Sequence, residues 1–226
     1  MSEFTDFEAA LSTERFGAYM LSCDNDRSKA MDLYTLNTRV SASLYAPLQA
    51  LEVTLRNRFH HQLSEAYGED WYDQHGVITQ LFQRQKILSA QVDLAASQKQ
   101  LTPGRIVASL TFGFWTSCLS FTYDDSLWRR GGLSKAFMAG GEKPNRKSVN
   151  RVLTPIRQLR NRIAHHEPIL YFDLPKHHRN ILMVTHWLMP IAAEWAAAHS
   201  TFASTYYRTI AAQMLKPAAR EEVRRT

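Results

Sequence analysis

PLQALEVTLRNRFHHQLSEAYG, from Pro47 to Gly68, repeats large apolar residues at Leu48, Leu51, Leu55, Phe59 and Leu63. Steps of three and four put all five on one stripe of an α-helix, and Gly68 is a natural stop. The same period extends in both directions. Upstream, Arg27 to Val40 reads as a helix after the polar CDNDRS segment. Downstream, Gly76 to Lys99 gives a third helix, with apolar positions Ile78, Leu81, Phe82, Leu88 and Val92. Thr102-Pro103 has the form of an N-cap followed by a first-turn proline, opening one helix through Leu119. Gly131-Gly132 and Gly140-Gly141 bracket a short piece around Phe137, and GGEKPNRK is the clearest loop. Thr154-Pro155 repeats the start signal, so the basic segment is expected to form two helices, the second ending before Pro168. Pro175 to His199 and Thr201 to Leu215 complete the series. No stretch alternates long enough for a strand. The fold class expected is all-α: a single helical bundle with additional N- and C-terminal helices. A polar N-terminal segment (1–26) precedes a helical domain (27–216) and a frayed basic tail (217–226).

Composition bounds what this bundle does. The chain has 226 residues, 45% hydrophobic and 21% charged, which suits one sizeable core and excludes a disordered protein. The N-terminal MSEFTDFEAALSTERF carries acids and no apolar core, unlike a signal peptide. Cys23 and Cys118 form no metal or redox motif, so a reducing, cytoplasmic setting is expected. Ile106 to Tyr123 is the longest apolar run, but Ser and Thr interrupt it, which favours protein core over membrane.

The formal charge is +6, and its placement says more than its size. From Lys143 to His166 there is no Asp or Glu, whereas Arg146, Lys147, Arg151, Arg157 and Arg162 all fall inside. Such a one-signed stretch can neutralise several phosphates. It is equally the composition of a solvated helix face.

Within that stretch LRNRIAHHEP (Leu159–Pro168) carries the chemistry. Asn161 and His165 are four apart, so a helix stacks them on one face, with Arg160 beside them. His166, Glu167 and Pro168 close the last turn, which places His165 at a helix C-terminus. An imidazole can take the proton of a ribose 2′-hydroxyl or give one to a leaving oxygen near neutral pH. A guanidinium offers a planar fork to a phosphate, and an amide can hold a phosphate oxygen or fix the imidazole tautomer. These three groups together suit phosphodiester cleavage. As bare chemistry the pattern also fits a structural Arg and a surface His.

The string RNRIAHHEPI resembles the Arg-x(4–6)-His motif of the HEPN superfamily. In order along the chain, YAPLQALEVTLRNRFHHQLSEAYGEDWY, GRIVASLTFGFWTSCLS, an LW…F piece and RQLRNRIAHHEPI resemble the Abi-like (abortive-infection) proteins of bacteria. The resemblance implies a HEPN-type bundle and a metal-independent endoribonuclease in phage defence or a toxin–antitoxin system. Its catalytic residues would be Arg160, Asn161 and His165, with His166 as helper. It also implies RNA as substrate, an antitoxin or regulatory small RNA as a further partner, and a homodimer. Members without activity serve as RNA- or protein-binding modules, which is the alternative reading.

A second string, Arg56-Asn57-Arg58-Phe59-His60-His61, repeats the letters upstream. It reads either as a salt-bridged solvated face, with Glu52 and Arg56 four apart, or as a support in which Arg56 and Asn57 assist the main motif. Nine histidines raise the question of a metal. Adjacent histidines on a helix diverge by roughly 100° and cannot chelate as an i, i+4 pair does, so neither a metal nor a cofactor is expected.

Overall fold

The computed structural model describes residues 9–214, and among these there is no β-strand. In chain order come α1 (Thr13–Ser22), α2 (Arg27–Ser43), α3 (Tyr45–Tyr67), α4 (Leu81–Ala96), α5 (Pro103–Ser109) and α6 (Phe112–Ser117). A 3-10 turn (Phe121–Tyr123) and a π-turn (Asp124–Arg130) lead to α7 (Leu133–Ala136). Then follow α8 (Arg146–Ala164), α9 (Leu174–Leu188), α10 (Pro190–His199) and α11 (Phe202–Met214). The protein is an all-α helical bundle, as the periodicity indicates. Its packing groups into two units: residues 1–45, 159–174 and 200–226 in the first, 46–158 and 175–199 in the second.

In the first unit α1 packs on α2, and α11 packs on α2 as well. Phe16, Tyr19 and Ala30 form the centre, with Leu11, Met20 and Tyr34 against them. Tyr19 and Tyr34 meet edge-to-face at 5.4 Å between centroids. The segment before Arg27, expected to be merely polar, therefore contributes core. Phe16, Tyr19 and Met20 sit at i, i+3 and i+4, a stripe that the acidic residues around it mask. Asp26 caps α2 by accepting from the Lys29 amide at 3.1 Å. The expected frayed tail, 217–226, lies outside the described residues.

The second unit is built on α3. Leu48, Leu51, Leu55, Phe59 and Leu63 are all buried, and each such side chain contributes about 1.5–3 kcal/mol of hydrophobic stabilisation. The Phe59 ring meets Phe137 at 5.6 Å and Trp115 at 6.5 Å, both edge-on. Three boundaries differ from expectation. The run from Thr102 to Leu119 is two short helices, because Thr111 caps a new start by accepting from the Phe114 amide at 3.4 Å. The segment from 175 to 199 also divides, since Pro190 opens α10 and the residue before a proline leaves the helical region. The third helix begins at Leu81 rather than Gly76 and turns another face inward.

On α4, Leu81, Leu88 and Val92 are 71%, 60% and 57% exposed, while Gln83, Ile87, Ala90 and Leu94 are buried. A buried glutamine is tolerable because every part of its amide is used. Gln83 Nε2 donates to the Phe114 carbonyl at 3.2 Å, and Oε1 accepts from the Tyr123 hydroxyl at 2.8 Å. That hydroxyl accepts in turn from the Thr79 and Gln80 amides at 3.2 and 3.0 Å. Elsewhere in this unit Gly140 lies so close to His186 that an added Cβ would stand 2.6 Å from its ring. No helix of the described residues is long and apolar enough to cross a membrane.

Candidate active site

Helix α8 carries the motif to its last turn. Its start is capped by Asn145, whose side-chain oxygen accepts from the Ser148 amide at 2.9 Å. Val149, Leu153, Ile156 and Leu159 form a fully buried stripe on this helix. Pro155 lies inside the helix, so the expected division into two helices does not occur. The proline removes one hydrogen bond at a cost of about 3 kcal/mol. Buried side chains on both sides of it, each worth about 1.5–3 kcal/mol, outweigh that break.

The helix ends in a Schellman turn. The His165 amide makes the last regular bond, to the Asn161 carbonyl at 2.9 Å. The His166 amide donates to the Ile163 carbonyl at 3.1 Å, and the Glu167 amide reaches back to the Arg162 carbonyl at 2.8 Å. His166 stands at the left-handed position of this turn, with φ 57°. Glycine takes that conformation without strain, whereas a histidine there costs energy.

Two residues that sequence reading missed hold this turn. Arg15 of α1 donates to the carbonyls of His165 and His166 at 3.2 and 3.3 Å. Asn37 of α2, buried at 4% exposure, clamps the next residues. Its Nδ2 donates to the Glu167 carbonyl at 3.3 Å and its Oδ1 accepts from the Ile169 amide at 2.7 Å. Neither lies in a motif, and only the three-dimensional packing brings them over the 165–169 backbone.

The backbone is thus pinned. Asn161, His165 and His166 are exposed and Arg160 is half-buried. Next to them Arg162 pairs with Glu167 at 3.2 Å, donates to the Pro168 carbonyl at 3.3 Å and stacks over Tyr171 at 5.0 Å. This arginine, expected among the RNA contacts, also holds the turn together.

The rest of the basic stretch lies in the second unit. Arg146, only 12% exposed, is ion-paired with Asp124 at 2.7 Å and donates to the Leu119 carbonyl at 2.7 Å. Asp124 also binds Arg129 at 2.7 Å, and these guanidinium partners hold its carboxyl below the usual carboxylate range. Arg146, expected among the RNA contacts of the one-signed stretch, is thus tied into the fold by Asp124 and the Leu119 carbonyl. The missing acids of the stretch are supplied by Asp124 and Glu167 from outside it. Lys147 and Arg151 are exposed, and Arg157 lines a cavity.

The upstream string belongs to the second unit and sits mid-helix. Arg56 donates to Asn57 Oδ1 at 3.3 Å and to the Ala108 carbonyl at 3.4 Å, tying α3 to α5. His60 Nδ1 accepts from the Trp71 indole at 3.0 Å and lies 3.2 Å from the Ser64 hydroxyl. Burial pushes its pKa below the ordinary value, so this imidazole is a neutral acceptor in the core. Among the described residues no group of three or more His, Cys, Asp or Glu is placed to hold a metal ion.

Fold and site together define an all-helical protein whose basic helix presents histidines on a clamped terminal turn. The chain belongs to the Abi-like protein family, whose model matches residues 11–171. No curated protein and no solved structure matches it.

Proposed function

We propose that this Abi-like chain is a metal-independent endoribonuclease of the HEPN type. It would act in the bacterial cytoplasm, in abortive infection or as the toxin of a toxin–antitoxin pair, with an antitoxin or small RNA as its regulator. The observation that carries the reading is the clamped end of α8, where Arg160, Asn161 and exposed His165 and His166 share the last turns.

In the reaction a ribose 2′-oxygen attacks the adjacent phosphorus. The bond from phosphorus to the 2′-oxygen forms, and the bond to the 5′-oxygen breaks. One imidazole takes the 2′-hydroxyl proton and another gives a proton to the departing 5′-oxygen. His165 is the first of these, and His166 or a second copy's His165 the other. Arg160 donates to the phosphate oxygens, whose charge grows in the transition state, and Asn161 holds one of them. The nucleophile belongs to the RNA itself, so no metal hydroxide is required. Lys147, Arg151 and Arg157 would hold neighbouring phosphates.

A homodimer would double the proton-transferring groups, and a two-fold contact is the commonest way to do so. The exposed stripe Leu81, Leu88 and Val92 on α4 supports this part of the proposal.

Total RNA incubated with the protein in EDTA should yield fragments with 5′-hydroxyl and 2′,3′-cyclic phosphate ends, and the same preparation should sediment as a dimer. Cleavage abolished by EDTA and restored by a divalent ion would overturn the mechanism. RNA bound in a salt-dependent way but left intact would replace it with the non-catalytic binding reading.

A further inference from the structure

The second unit holds a cavity of about 250 Å³ that the motif does not use, lined in part by Phe82, Ser117, Ser120, Asn150, Thr154 and Arg157. No carboxylate lines it. Arg157 thus brings a full positive charge to a wall of neutral groups, which favours an anionic ligand. Its guanidinium fork matches a phosphate better than a point charge would.

The remaining groups narrow the ligand. Thr154 donates its hydroxyl proton to the Asn150 carbonyl at 2.8 Å, and Ser117 donates to the Gly113 carbonyl at 2.8 Å. Both hydroxyls therefore have only lone pairs left to offer a ligand, and a bare anion would not suit them. Ser120 Oγ is buried without a hydrogen-bond partner among the described residues, a state that costs about 1–3 kcal/mol unless something else satisfies it. Asn150 adds an amide with donor and acceptor side by side, the pattern that reads a base edge. Phe82, 44% exposed, supplies an aromatic face for stacking. The volume falls just short of the ~300 Å³ at which pockets for drug-sized ligands begin, so the cavity suits one small unit.

We propose that this cavity binds one nucleotide, its phosphate on Arg157 and its base between Phe82 and the amide of Asn150. The choice of a nucleotide over other phosphorylated compounds rests on RNA being the substrate. Binding is nevertheless measurable without cleavage, so the two ideas fail separately.

The test is a calorimetric titration of the full chain with AMP, GMP, CMP and UMP, with ribose 5-phosphate and inorganic phosphate as controls. A 2′-O-methylated trinucleotide carrying only internal phosphates, which lacks the attacking hydroxyl, makes the last arm. At least one mononucleotide or the trinucleotide should bind saturably, about tenfold or more tighter than either control. Tighter binding of the trinucleotide assigns the site to a strand, and tighter binding of the mononucleotide to a free ligand. Arg157→Gln should weaken that binding about tenfold or more. Asn150→Leu should do the same while leaving the salt dependence of RNA binding unchanged, because no charge is altered. Melting curves report whether each variant folds, and either folded variant suffices. Absence of saturable binding, inorganic phosphate binding as well as the nucleotides, or a folded variant that binds like the wild type would each overturn the proposal.

Discussion

The two strings RNRFHH (Arg56–His61) and RNRIAHH (Arg160–His166) use nearly the same letters and come to opposite ends. The first lies inside the long helix α3, where Arg56 ties to α5 and His60 becomes a neutral acceptor for Trp71. The second ends its helix, and both its histidines are exposed on a turn held by Arg15 and Asn37. What separates them is position on the helix. Mid-helix, a histidine is drawn into the packing of its neighbours. At a capped end the backbone is fixed by its own carbonyls and amides, leaving the imidazole free to meet a ligand.

Activity should divide the strings most sharply. His165→Ala should lower the rate of RNA cleavage about 10²–10⁴-fold, the usual worth of a general acid–base group. His61→Ala, an exposed change in the upstream string, should stay within about twofold, since surface substitutions shift energies by roughly 0.5 kcal/mol or less. Fragment ends counted over time give both rates. Comparable losses in the two variants would erase the distinction and make the upstream string half of the site.

The clamp comes next in size. Asn37→Ala strands the Glu167 carbonyl and the Ile169 amide in a buried place, at a cost of about 1–3 kcal/mol. Denaturant unfolding should register that loss, and hydrogen exchange should show the Ile169 amide exchanging faster. An unchanged Ile169 amide would mean that the turn holds itself and that Asn37 is incidental.

Much of this was legible in the residues themselves. The α3 stripe, the helical class and the end of α8 near His165 follow from local periodicity and from Pro168. What stayed hidden depends on partners distant in sequence. Arg146 reads as one more cation until Asp124 arrives from the π-turn. The buried face of α4 reads wrongly because Gln83, polar by type, is fully satisfied by Phe114 and Tyr123. Pro155 reads as a helix start, yet the buried stripe on both sides of it keeps α8 whole. The lining of the cavity around Arg157 comes from three separate segments, and no spacing within one of them announces it.

A smaller effect, confined to the upstream string, appears with pH. Burial holds the His60 pKa below its ordinary 6.5; Glu69 opposes this and His61 reinforces it. Below that value the unfolded chain takes up a proton that the folded one resists. The stability contributed by neutral His60 is therefore fully present above about pH 6.5 and is lost as the pH falls through the folded value. His60→Gln keeps an acceptor for Trp71 but cannot titrate. Its melting temperature should fall less than that of the wild type between about pH 7 and about pH 5. Equal falls would show that His60 is not held neutral by the core.

The smallest effect is a pair of glycine substitutions, and its value lies in the signs. His61 is an exposed residue inside α3, where glycine gives the unfolded chain extra freedom and supports the helix less. His61→Gly should destabilise by about 0.5 kcal/mol. His166 already occupies the left-handed position of the Schellman turn, with φ 57°. There the strain relieved by removing Cβ exceeds the entropy that glycine adds, so His166→Gly should stabilise by about 0.5 kcal/mol. The two melting temperatures should separate by ~2–4 °C, the shift that about 1 kcal/mol produces in a chain of this size. Opposite shifts would mean that a histidine is kept at residue 166 against the preference of the backbone, as expected of a side chain that serves the site. If His166→Gly instead melts lower, the imidazole contributes packing that outweighs its strain, and its place beside His165 needs no catalytic explanation.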